Sequence, residues 1–581
     1  MNRKFKKFLC ILLSVICCLL FAVPSHAADE FTAKYDVTYK VETSGLTSVS
    51  QKISLINKLS NVYVTEYSLS IASMNIQNVK ARDSLGDLKV STTESGETTT
   101  IRLVFNEKIV GKDKALNFTL DYEATDLTKK KGQIWEVIIP KVTNIEEIDD
   151  YSLKLDIPLD LGRAAYLSPK PARSQPPLYF FDKTAATKGI MAAFGECQIF
   201  DFQISYHLKN TNITSKKMFI TLPPETDYQK IIYQNIEPKP EDIFVDPDGN
   251  WLASYELKPK ENIDIITSGS AQILMKSQNG EHRTQSLENY LLPQEYWEVN
   301  DPKILELAKK LKTAKKIYDF VVETLSYNYE RIGKAERLGA IKALTDPGSA
   351  LCMEFTDLFI TLCRAAGIPA REVNGFAYTE NPQLKPLSLK EDILHAWPEY
   401  WDEKNKVWKP VDPTWEKTTG GIDFFNKLDL NHFAFVFHGM KSDFPQAPGE
   451  DPEKNVEVSF AESLQKIKEE TQVEFNLPEK AIAGFPVSGN IVIENTGNVA
   501  FHDLNLTINS QRLSVDILPP FDSRSFPINL EKTNWWQSKL EKVIVDINQY
   551  HFEKEVEIKP FFFQIGSFLT KLLFHAKNLF R

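Results

Sequence analysis

Cys352, His395 and Asp412 are the residues of this 581-residue chain whose types and order best suit covalent chemistry. A thiol attacks carbonyl carbon once ionised, an imidazole can take and return its proton, and a carboxylate can hold that imidazole in one tautomer. The three are separated by 43 and 17 residues, so folding has to bring them together. From Ala350 to Ala366 the apolar residues recur at helical spacing. Ser349 is placed to cap that helix, and Gly367 with Pro369 behind it is a stop signal. Cys352 then falls in the first turn, where the helix dipole favours an anion and backbone N–H groups could hold a developing oxyanion. Cys363, eleven residues on, is roughly 16 Å away along such a helix, out of disulfide reach, and is expected in the core.

The imidazole and the carboxylate sit on a predicted hairpin. Ile393 to Trp401 and Val407 to Asp412 flank the polar stretch Asp402-Glu-Lys-Asn-Lys406. A turn centred on Glu403 and Lys404 opposes residues whose numbers sum to 807. His395 and Asp412 then form a direct cross-strand pair with Cβ atoms about 5 Å apart. Pro398 and Pro410 interrupt the ladder, and a slip of two residues would turn the contact diagonal.

These blocks resemble the transglutaminase-like (transglutaminase core) family of the papain-like fold. The resemblance is carried by Leu351-Cys-Met-Glu-Phe-Thr-Asp-Leu-Phe359, by Cys363 to Arg371 with Val373 and Gly375, by His395-Ala-Trp397, and by Trp408 to Trp415. It extends from about Ile304 to Met440, and departs from the family at Ala350-Leu351, where many members have a glycine. It implies an α+β papain-like core in which Cys352 is the nucleophile, His395 the general base and then acid, and Asp412 its orienting partner. The implied reaction forms an acyl-thioester from a protein glutamine amide or a peptide bond. A lysine amine or water resolves it, giving acyl transfer, deamidation or proteolysis without a cofactor. Tyr327 or Tyr329 would donate to the oxyanion, and Trp397 and Trp415 would wall the cleft. His432 and His438 show no metal-ligand spacing to cysteine or acidic pairs, and no metal site is expected. The rival reading is a surface adhesin or scaffold that binds through this core without turnover.

Around the core the pattern is different. From Phe31 to about Leu274 short β-branched and aromatic segments alternate with period two, as in Lys34 to Val41 and Leu116 to Tyr122. The expected order is a signal peptide at 1–27, β-sandwich domains at 28–160 and 161–280, and the core at 281–442. A linker at 443–468, a third β-sandwich at 469–558 and an amphipathic helix at 559–581 complete it. Lead-in helices are expected at Ile304 to Leu311 and Ala314 to Leu325. The signal is read from a basic start, an apolar run from Phe8 to Val23 and a small-x-small site ending at Ala27. It implies an exported, extracytoplasmic protein. Its cleavage would remove four of 68 basic residues and none of 78 acidic ones, a net of −14. So acidic a chain points away from nucleic acid as a partner. Three cysteines would remain, too few for a disulfide framework. In the tail, Ile565, Phe568, Leu569, Leu572, Leu573, Ala576, Leu579 and Phe580 form a stripe beside Lys571, Lys577 and Arg581. That suits a helix lying on a membrane surface, or one packed on its own domain.

Overall fold

A computed structural model describes residues 30–71, 75–95, 98–142, 145–278, 286–332, 336–379, 385–387, 394–419, 421–426, 428–448, 455–548 and 550–561. The expected signal peptide and nearly all of the tail lie outside the described residues. The chain divides into two units, residues 1–196 and 197–581.

In the first unit, strands such as Thr47–Asn57 bury every second residue, so Val49, Ile53 and Leu55 face inward, as the alternating sequence requires. An eight-stranded, a four-stranded and a three-stranded sheet surround one apolar cluster. The division expected at residue 160 falls inside this unit. Ile148–Asp156 runs parallel to Phe31–Val41, and Leu178–Phe181 then pairs with Ile148–Asp156, so the sheet continues across that position.

The second unit opens with six strands from Cys197–Lys209 to Asn262–Leu274, arranged in two sheets. A seventh strand, Val456–Phe460, pairs with Cys197–Lys209 and completes the first sheet. It lies where the sequence suggested a linker at 443–468. The segment that carries Cys352, His395 and Asp412 is therefore inserted between strands of one β domain. Eight further strands between Thr471–Asn476 and Tyr550–Lys559 form two sheets around a separate apolar cluster.

The inserted segment supplies α1 (Pro302–Leu311), α2 (Ala314–Thr324), α3 (Ala340–Thr345), α4 (Cys352–Ala365), β1 (Ala370–Ala377), β2 (Leu394–Asp402), β3 (Val407–Pro410), α5 (Pro413–Thr418) and β4 (His432–His438). The strands form one antiparallel sheet in the order β3-β2-β1-β4. Helix α4 packs on β2 and is buried along nearly its whole length. Its ends are well made. Glu354 Oε2 accepts from the Leu351 N–H at 2.8 Å, and the chain leaves through Gly367 at φ +79°, with Ile368 N donating to Cys363 O and Gly367 N to Arg364 O. Ser349, the expected cap, belongs instead to a short 3-10 turn, and the helix begins at Cys352 itself.

Burying such a helix buries its charges, and each finds a partner. Asp357 accepts from Arg337 and from Trp297 Nε1, Arg337 also reaches Glu372 at 2.6 Å, and Arg364 donates to the carbonyls of Ala370, Leu292 and Gly439. Strand β4 lies at the edge of its sheet, and the preceding β domain covers that edge with side-chain amides. Gln229 exchanges two hydrogen bonds with Ala434 at 2.9 Å each, and Asn250 exchanges two with Phe437 at 2.7 and 2.8 Å. Each amide presents a donor and an acceptor as an added strand would. Replacing Asn250 by alanine leaves a buried N–H and C=O without partners. It should cost about 2–4 kcal/mol, seen as a lower midpoint in the first urea transition of the full chain; an unchanged midpoint would contradict this role.

Candidate active site

His395 and Asp412 meet, but not by the register expected. The ladder pairs Asp402 with Val407 and Glu399 with Pro410, so facing residues sum to 809. The hairpin loop is four residues long, Glu403 to Lys406, with Lys406 in the left-handed region at φ +56°. Asp412 has left the strand and caps α5: its Oδ1 accepts from Thr414 N at 2.9 Å and Trp415 N at 3.0 Å, with Pro413 as the first helical residue. Its backbone is fixed as well, since Tyr318 Oη donates to Asp412 O at 2.8 Å. His395 is anchored from the other side. It faces Gly375 of β1, where a Cβ would come within 2.2 Å of Phe433 O and 2.9 Å of the Trp397 ring, so only glycine fits.

Asp412 Oδ2 and His395 Nε2 are 2.9 Å apart, and both residues are fully buried. Burial alone would push the imidazole pKa down. The Asp412 charge and hydrogen bond outweigh it, Cys352 adds to the effect, and His395 is pushed up from 6.5 to about 9. Burial likewise disfavours the Asp412 anion, but His395 and His432 hold its carboxyl well below the usual range. With Nε2 committed to Asp412, Nδ1 is the nitrogen that remains for the Cys352 thiol. Nδ1 is buried without a well-aligned hydrogen bond.

Cys352 is the first residue of α4 and is fully buried, as the sequence placed it in the first turn. Thr356, one turn on, donates to the carbonyl of Ala396 at 3.3 Å and ties α4 to the strand beside His395. Cys363 is buried in the core, and burial pushes its thiol pKa well above the ordinary value, so it is unsuited to nucleophilic work. Trp415 and Trp397 stack on the His395 ring, at 5.0 and 6.0 Å between centroids. Both are buried and enclose the imidazole. Tyr327 bridges by its backbone to Ala350, two residues before Cys352, and its ring packs on Tyr329.

A side chain that spacing did not reveal completes the cluster. His432, at the start of β4, lies 3.4 Å from the same Asp412 oxygen and 2.8 Å from Asp429, which pairs with Lys385 at 3.0 Å. Donor atoms of His395, Asp412 and His432 all lie within 4.8 Å of one another, a grouping compact enough for a metal ion. Two backbone N–H groups and two imidazoles already surround the carboxylate. His438 lies elsewhere, near Glu372 and Pro445 O.

The whole assembly lies within or beside one recognisable segment: residues 301–413 match the family model described as the transglutaminase-like superfamily. Residues 301–413 are a transglutaminase-like core domain. A curated relative, a protein-glutamine gamma-glutamyltransferase of Pseudomonas aeruginosa, is 39% identical over 74 residues, which are 13% of this chain and 11% of that protein. The chain thus spans about a tenth of the length of the curated relative it matches. Among solved structures, a Cytophaga hutchinsonii protein assigned provisionally to the cysteine proteases shares 17% identity, covering 46% of this chain and 98% of that one, at a TM-score of 0.29. The periplasmic domain of TgpA from Pseudomonas aeruginosa shares 16%, covering 40% and 93%, at 0.22.

The raised His395 pKa sets a pH dependence. The proton held between His395 and Asp412 stabilises the folded chain fully below about pH 6.5, and that contribution fades as pH rises through about 9. In Asp412→Asn the charge is gone and burial should win. The His395 titration followed by NMR should then fall from about 9 to near or below its ordinary 6.5. A midpoint still near 9 would contradict the electrostatic account.

Proposed function

We propose that this protein is a thiol enzyme of the transglutaminase type, with Cys352 as nucleophile, His395 as general base and then acid, and Asp412 holding the imidazole. The observation that carries the reading is the buried His395–Asp412 pair beside a cysteine at the start of a buried helix. An imidazolium next to sulfur supports a thiolate. The sulfur attacks the carbonyl carbon of a glutamine side-chain amide or a peptide bond, forming a C–S bond. As the C–N bond breaks, His395 gives its proton to the departing nitrogen, which leaves as ammonia or a new amino terminus. A lysine amine or water, deprotonated by His395, then attacks the thioester and releases the thiol. First-turn amides of α4 are suited to the oxyanion, with Tyr327 as a further donor. The relative acting on protein glutamine favours acyl transfer on protein or peptide substrates.

We read the location as extracytoplasmic, on the composition of residues 1–27. Among the described residues no helix is long and apolar enough to cross a membrane. The tail is proposed as a peripheral membrane contact. After Glu557 the sequence has no acidic residue but contains Lys559, Lys571, Lys577 and Arg581. Beside its start, Trp535 and Trp536 are 44% and 71% exposed, and Trp535 packs on Phe561. Full-length protein should float with anionic liposomes while a chain ending at Pro560 should not; equal flotation removes this reading.

One observation favours the rival, a binding module without turnover: the sulfur is covered in this state, so covering groups have to move before substrate reaches it. Incubation with a labelled primary amine and glutamine peptides separates the two. Wild type should incorporate amine or release ammonia, and Cys352→Ala should lose at least about three orders of magnitude. Equal product from both proteins would favour the binding module. New peptide termini instead of amine adducts would assign proteolysis.

A further inference from the structure

We propose that His432 is a positioning residue of this thiol centre, fixing the Asp412 carboxylate that in turn orients His395. The inference rests on the catalytic reading above and deepens it. His432 Nε2 and His395 Nε2 approach the same oxygen, Asp412 Oδ2, at 3.4 and 2.9 Å. The other oxygen, Oδ1, is taken by two backbone N–H groups at the start of α5. A buried carboxylate needs donors on both oxygens, and Asp412 is fully buried. His395 alone would leave Oδ2 with one donor. A second imidazole on Oδ2 holds the carboxylate still while the first one works.

His432 is itself held from every side that matters. Its Nδ1 lies 2.8 Å from Asp429 Oδ1, and Asp429 Oδ2 meets Lys385 Nζ at 3.0 Å. The rings of Trp415 and Trp397 pack against it at 4.6 and 4.9 Å. The charged groups facing it are Asp429 and Asp412 directly, with Lys385 and His395 beyond them. The signs alternate along Lys385, Asp429, His432, Asp412 and His395. Burial would favour neutral His432, but the two carboxylates outweigh it and raise its pKa. Nδ1 is paired with Asp429, while Nε2 stands 3.4 Å from Asp412 Oδ2, a charge contact without a well-aligned hydrogen bond.

The test follows the alkylation rate of Cys352 by iodoacetamide against pH in full-length wild type, His432→Phe, His432→Gln and Asp429→Asn, each checked for native packing by near-UV circular dichroism. His432→Phe keeps bulk but no donor. It should lower the alkylation rate across the pH profile, about ten-fold at pH 7, because Asp412 then holds His395 less firmly. His432→Gln, whose amide can still donate, should recover part of the rate, and Asp429→Asn should shift the profile the same way by less. A natively packed His432→Phe whose profile superimposes on wild type overturns the role. If that variant fails to fold, an unshifted Asp429→Asn overturns it. Failure of the underlying catalytic reading looks different: wild-type label then shows no preference for Cys352 over Cys197.

Discussion

Two opposite charges face each other, both fully buried, where β2 passes the start of α5. Moving an isolated charge out of water costs several kcal/mol even after relaxation, so a buried ion pair persists only where its remaining hydrogen-bonding capacity is met. Much of the core is arranged around that demand. The first turn of α5 supplies two amides to Asp412, Tyr318 pins its carbonyl, and His432 approaches the second oxygen. On the other side Gly375 lets the β4 backbone and the Trp397 ring of β2 lie close against β1, opposite His395. Loss of either partner would leave the other as an uncompensated buried charge.

Presenting a sulfur to that pair sets a second requirement, since the helix that carries Cys352 is buried and cannot rely on solvent for its polar groups. Glu354, Asp357 and Arg364 lie along α4 and are each matched from outside it, by Arg331 and Leu338, by Arg337 and Trp297, and by three carbonyls. Unlike a purely apolar helix, which can rotate or slide at little cost, α4 has one rotation that satisfies all three. The flanking β domain adds rigidity from the far side, because Gln229 and Asn250 close the open edge of β4 and hold His432 on that strand.

Much of this was legible. Helical spacing and the Gly367 stop placed Cys352 at the start of a helix, and the structure begins that helix at Cys352. The hairpin could be read, but its register could not, because five polar residues permit several loop lengths and the left-handed Lys406 selects a four-residue loop. Asp412 followed by Pro413 also carried a helix-start signal, which the strand assignment masked. His432 was hidden for a different reason. It reaches the site from β4, across β1 from His395, and no spacing along the chain encodes that. Its mark in the sequence is a histidine at the end of an otherwise apolar strand, His432-Phe-Ala-Phe-Val-Phe-His438. Val456–Phe460 was equally hard to place, being a short strand in polar surroundings whose partner, Cys197–Lys209, lies far back in the chain.

The central claim is that this buried pair serves a nucleophilic sulfur. It is tested most directly by intact-mass spectrometry of the full-length chain after brief reaction with an activated γ-ester of an N-protected glutamate, which delivers the acyl group of a glutamine side chain and releases its alcohol. The account predicts one acyl group per chain, mapped to Cys352, released by hydroxylamine as a thioester is, and formed far more slowly in His395→Ala. A folded protein that gains no acyl group at Cys352, or gains it as fast without His395, would contradict the account.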